Sequence, residues 1–151
     1  MRFFTKLLAR FAEYAIVAYR LRRIMATNPE QIKTAINPDV LKAFHLMWDV
    51  FPSSALLVTR NRTIQACNQS AIERGLRVGM KCFQLTSDGV HNHCKANVAL
   101  DKGVAQQTIV YSPVTKKVNN SYWLPIAGEK DLFVHVVIDI TQYAKSELFH
   151  I

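Results

Sequence analysis

Acidic side chains are scarce in this chain. Eleven Asp and Glu stand against nineteen Lys and Arg in 151 residues, a formal net charge of +8. So few carboxylates leave little material for general acid–base pairs, and no paired-carboxylate cluster occurs. Glycine and proline number five each, which excludes a collagen-like or Pro/Gly-rich disordered chain. No glycine-rich loop is present to cradle a phosphate. Ser53, Ser54 and Ser70 lack the setting of a nucleophile elbow, and no histidine-kinase box is found. These absences speak against an enzyme. Cysteine is limited to Cys67, Cys82 and Cys94. The odd count and the lack of a clean secretory signal favour free thiols in a reducing, cytosolic setting. Long apolar runs are missing too. Near the N-terminus the longest uncharged run, 14–19, falls far short of the roughly 20 residues that a spanning helix needs.

What is present suits one globular domain. Half of the residues are apolar, and the length is enough to bury a core. Basic charge is concentrated at the start: Arg2, Lys6, Arg10, Arg20, Arg22 and Arg23 lie within the first 23 positions. The spacing predicts an amphipathic helix over 1–26. Phe3, Phe4, Leu7, Leu8, Phe11, Tyr14, Ala15, Ala18, Leu21 and Met25 fall on one face, and Arg2, Lys6, Arg10, Glu13 and Arg20 on another. Ile16 and Val17 intrude on the polar side. Such a helix packs on its own domain or on a second copy, or lies on an anionic membrane surface. Burial against protein is the commoner use. Nucleic acid is the poorer partner, because no helix-turn-helix follows and one face of the basic helix is continuously apolar.

Asn28-Pro29 and Asn37-Pro38-Asp39 mark helix starts. The second begins a helix over 39–50 with the stripe Val40, Leu41, Phe44, Met47, Trp48 and Phe51; His45 lies near it. From Pro52 the period changes to two. Strands are predicted over 54–59 and 63–67 around an Arg60-Asn61-Arg62 turn. A short helix over 68–74 has Asn68 as N-cap and Gly75 as its stop. Another helical piece is expected over 79–85, and a longer helix over 91–102 ending at Gly103. Strands follow over 104–111, 117–125 and 131–141. The expected closure is an α+β fold: a five-stranded antiparallel sheet with short helices over one face, preceded by N-terminal amphipathic helices. The parts are an N-terminal extension, 1–37, a core domain, 38–142, and a C-terminal stub, 143–151.

Over 38–142 the sequence resembles a PAS (Per-Arnt-Sim) sensor domain. Phe51-Pro52-Ser53-Ser54-Ala55-Leu56-Leu57-Val58 resembles the entry to the first strand of that family. Ile64-Gln65-Ala66-Cys67-Asn68-Gln69-Ser70-Ala71 resembles the second strand running into an Asn-x-x-Ala helix. Val78-Gly79-Met80-Lys81-Cys82-Phe83 is similar to a Gly-x-x-Cys-Tyr/Phe element. Tyr122-Trp123 and Asp139-Ile140-Thr141 resemble pieces of the last two strands. The resemblance implies sensing and protein interaction rather than turnover. It also implies a ligand pocket between the sheet and the short helices, and flanking helices that carry dimer or partner contacts. Register and resemblance together nominate Leu57, Phe83, Val98, Ile109, Trp123 and Val136 for the pocket; each also reads as plain core.

The sharpest local grouping is Cys82-x8-His91-Asn92-His93-Cys94. Thiolate and imidazole suit zinc, and Cys82, His91 and Cys94 would supply three ligands, with His93 or Cys67 as a fourth. An iron–sulfur cluster usually wants four cysteines, and three exist. The resemblance adds haem, with His91 or His93 as its ligand. A flavin photosensor is disfavoured, since the reactive Asn-Cys-Arg-type motif is absent. The plainer alternative is a helix start with polar histidines and two buried cysteines. The strand over 132–141 ends ten residues before the chain does. Output is therefore expected through the N-terminal helix, from a cytoplasmic protein that is soluble or peripheral at the inner face of the membrane.

Overall fold

The computed structural model describes residues 36–84 and 90–150. The expected helices at 1–26 and from Pro29 lie outside the described residues. Helix α1, Pro38–Trp48, begins as its sequence dictates. The Asn37 side chain accepts a hydrogen bond from the Asp39 N–H at 3.0 Å, and Pro38 occupies the first turn, where its missing N–H costs nothing. Strand β1, Ser54–Thr59, and β2, Ile64–Cys67, form an antiparallel hairpin. Helix α2, Gln69–Glu73, follows, then a 3-10 turn, Val90–His93, and helix α3, Ala96–Lys102. Gly103 ends α3 in the left-handed region, φ +63°, which a side chain would strain. Strands β3, Gln106–Ser112, β4, Lys117–Ile126, and β5, Glu129–Asp139, complete the sheet in the order β2-β1-β5-β4-β3. Among the described residues no helix is long and apolar enough to cross a membrane.

Two local expectations need correction. Residues 79–84 form turns rather than helix. Their backbone groups are taken up by the edge of β2 instead: Gly79 N–H donates to Ile64 O at 2.9 Å, Ile64 N–H to Met80 O at 2.9 Å, and Cys82 N–H to Arg62 O at 3.0 Å. A segment whose N–H and C=O groups serve a sheet edge cannot also close helical rings. The expected helix over 91–102 is interrupted at Cys94–Lys95. The 3-10 turn precedes the break, and α3 follows it with no side-chain cap.

The core lies between the sheet and these helices. Leu56, Val58, Ile64 and Phe133 of the sheet pack with Ala71 of α2 and Ala96, Ala99 and Leu100 of α3. Alanines on both helices let the helix backbones approach the strands closely. The opposite face is buried as well: Ala55 and Leu57 are fully buried, and Val134 and Val136 are nearly so. The C-terminal stub is not idle. A 3-10 turn, Ser146–His150, brings Phe149 edge-on to Tyr111 of β3 at 5.6 Å.

Asp139-Ile140-Thr141 closes the sheet by a local network. The Asp139 carboxylate accepts from Thr141 N–H at 3.0 Å and Thr141 Oγ1 at 2.6 Å, and pairs with Lys117 Nζ at 2.7 Å. Thr141 Oγ1 in turn accepts from Val118 N–H at 3.0 Å. Lys117 and then Thr141 pull the Asp139 pKa down to about 2. Its stabilising effect is present above the ordinary aspartate value and fades as pH falls from about 3.8 through 2. Because the group is exposed, screening keeps the effect small. Asp139→Asn is expected to cost about 0.5 kcal/mol at pH 7, measured by urea unfolding. A cost that persisted at pH 2 would contradict this account.

Candidate functional site

Between the helical side and the sheet lies a cavity of about 380 Å³. Its floor is the inward register of the strands. Leu56 of β1, His135 of β5 and Trp123 of β4 stand in one cross-strand row, and Ser54, Val137, Ser121 and Thr108 in the next. Asn119 and Val110 follow in a third. Arg74, Leu76, Cys82, His91, Cys94, Ser112 and Thr115 complete the walls.

His135 is the unexpected member. In the run Leu132-Phe133-Val134-His135-Val136-Val137 it is the one polar side chain, and amphipathic logic would send it to solvent. Pairing of β5 with β4 instead sets it opposite Trp123. The two rings stack at 5.1 Å between centroids and 11° between planes. Both imidazole nitrogens are shielded from solvent, and neither has a hydrogen-bond partner. Burial first, then the positive potential of His91 and Arg62, pushes its pKa down to about 4. The ring is therefore neutral at pH 7, with one donor and one acceptor to offer. Asn119 Oδ1 is likewise buried without a donor. Buried polar groups are ordinarily satisfied, so a cavity wall with three unmet atoms is set up for a guest.

The structure divides the nominated pocket residues. Trp123 lines the cavity. Leu57, Ile109 and Val136 do not. They occupy the opposite face, since Leu57 neighbours the lining Leu56, Ile109 neighbours the lining Thr108 and Val110, and Val136 neighbours the lining His135 and Val137. In a strand, adjacent residues point to opposite faces. Val98 on α3 and Phe83 after β2 are partly exposed, at 39% and 43%, and neither lines the cavity. Phe83 does sit edge-on to the lining residue His91 at 5.6 Å.

The proposed metal ligands fare unevenly. Cys82, His91 and Cys94 all face the cavity, while His93 is exposed on the 3-10 turn. Cys67 does not line the cavity; it lies in the core cluster against which Cys82 and Cys94 pack, its thiol 4.0 Å from Leu76 O. Among the described residues no three His, Cys, Asp or Glu side chains converge on a common point for an ion. Burial, reinforced by Cys94, pushes the Cys82 thiol up to about 11. A protonated thiol is a poor nucleophile. As arranged here, the described donors do not converge into a zinc or iron–sulfur site.

No protein-family model and no curated protein sequence matches the chain. Solved structures do. The chain is similar to a domain of an HTR-like protein from Haloarcula marismortui, at 22% identity and a TM-score of 0.51, covering 60% of this chain and 99% of that one. It is similar to a sensory box sensor histidine kinase from Vibrio cholerae, at 16% identity and 0.50, covering 70% and 97%. It is also similar to the PAS domain of Bordetella pertussis BvgS, at 17% identity and 0.53, covering 73% and 91%. The strand order, the helices on one face and these likenesses together establish that the described chain has the fold of a PAS domain.

Proposed function

We propose that this chain is a signal-sensing module that binds a small organic ligand in the sheet cavity and reports through protein contacts. One observation carries the reading: both nitrogens of the His135 imidazole are shielded and unpartnered on the cavity floor, the ring stacked on Trp123. A purely structural core has no use for such a ring, because an apolar residue there would avoid the desolvation cost. The likeness to sensor proteins supports the same reading. The volume suits a one- or two-ring metabolite. The output is assigned to residues 1–37, through self-association or a partner protein.

Native mass spectrometry of the purified full chain, with a thermal-shift screen of small metabolites, tests ligand binding. At a hundredfold excess over Kd a bound ligand adds about 2.7 kcal/mol of stability. Ser121→Trp, which fills the cavity from a floor position 7% exposed, is expected to abolish that shift while keeping the far-UV circular dichroism of the fold. A ligand response that survives Ser121→Trp would place binding elsewhere. Sedimentation of the full chain against one starting at Asn28 tests the output; equal association of the two would remove that assignment.

A further inference from the structure

The cavity is graded in polarity along the strands. At one end lie the stacked rings of Trp123 and His135. Along β4 the inward residues then run Trp123, Ser121, Asn119, so an aromatic end gives way to a hydroxyl and then an amide. Each step is about 6.5–7 Å. Thr108 stands beside Ser121 on β3. At the far end the Asn119 carbonyl oxygen has no donor.

Charge around the cavity is one-sided. No Asp or Glu is among the described lining residues, and Arg74 carries their one fixed charge. Its guanidinium donates to Ser54 Oγ at 3.3 Å and forms no ion pair with a described residue. Ser54 pairs with Val137, two residues along β5 from His135. The guanidinium therefore stands one cross-strand row from the imidazole. A cationic guest would meet Arg74 and find no counter-charge. An anionic guest would gain a charge-assisted hydrogen bond, and a planar ring would gain the aromatic floor.

Resting on the ligand-binding reading above, we propose that the guest is a small planar aromatic carboxylic acid. Its ring lies on the Trp123–His135 floor, its carboxylate turns to Arg74, and a ring hydroxyl serves the Ser121–Asn119 end.

Calorimetric titration of the full chain with 4-hydroxyphenylacetate, its amide and tyramine tests this, since the three share a ring and differ in charge. The acid is expected to bind at least ten-fold tighter than the amide, and tyramine not at all. Arg74→Gln, at an exposed position that leaves the core untouched, is expected to bring the acid down to the affinity of the amide and leave the amide unchanged. Asn119→Ala is expected to weaken both alike. Equal binding of acid and amide, preference for tyramine, or no binding of any of the three overturns the inference. If native mass spectrometry then finds a molecule of another class that Ser121→Trp excludes, the sensing reading stands without it. If no guest is found and Ser121→Trp changes no ligand response, both fall.

Discussion

Replacing Asn68 with Ala is expected to lower the thermal midpoint by about 10–15 °C, for a loss of about 3 kcal/mol. Asn68 is fully buried, and its amide joins three elements. Oδ1 accepts from Ala55 N–H at 3.1 Å and Ala71 N–H at 3.0 Å. Nδ2 donates toward Trp48 O at 3.1 Å, Phe51 O at 3.1 Å and Ser53 O at 2.9 Å. One side chain thus caps α2, fixes the entry to β1 and ties down the end of α1. Truncation takes the shared acceptor from the buried Ala55 and Ala71 N–H groups, each costing about 1–3 kcal/mol when unmet. Asn68→Asp is a sharper probe. It keeps the acceptor for the two N–H groups but turns a carboxylate toward three carbonyl oxygens. At pH 7 it is expected to destabilise at least as much as Asn68→Ala. Differential scanning calorimetry decides, and a shift below about 3 °C for both variants would mean the network contributes little net stability.

The second large effect is a dependence on pH. The folded His135 ring takes its proton near pH 4, whereas an unfolded histidine takes one near 6.5. Between those values the unfolded chain holds the extra proton, so stability falls as pH drops from 6.5 toward 4; above 6.5 this group has no effect. Relative to wild type, His135→Leu is expected to gain about 2 kcal/mol between pH 7 and pH 5. Urea unfolding of both proteins at those two values measures it, because titrations common to both cancel in the difference. A constant difference would show that the imidazole charges freely in the folded state. His135→Leu also removes the polar floor of the cavity, so ligand binding should weaken at pH 7, where the stability difference carries no titration term.

The strands, α1 with its Asn37-Pro38 start, and the Asn68 cap of α2 were legible from residues because each depends on neighbours in sequence. Turn residues, caps and alternation act over a few positions. Legibility stopped at the phase of the strands. In β1, Ser54 through Val58 are all buried, so no alternation marks which residues face the cavity, and choosing Leu57 over Leu56 reversed the face. Ile109 and Val136 failed for the same reason: a shift of one residue exchanges the two faces completely. Turns at 79–84 were hidden because their hydrogen-bond partners, Arg62 and Ile64, lie at or just before the start of β2, fifteen to twenty residues earlier.

By itself, then, the sequence determined the element order, the antiparallel α+β architecture, the single-domain scale of the core and the poverty of catalytic groupings. These follow from local backbone preference and from composition, which need no knowledge of what lies across the sheet. Only the tertiary structure decided that His135 faces inward onto Trp123, that Cys82, His91 and Cys94 share a wall without converging as an ion's ligands, and that Arg74 is the fixed charge of the cavity. Those facts depend on the register between strands far apart in the chain, set by the packing of both sheet faces together.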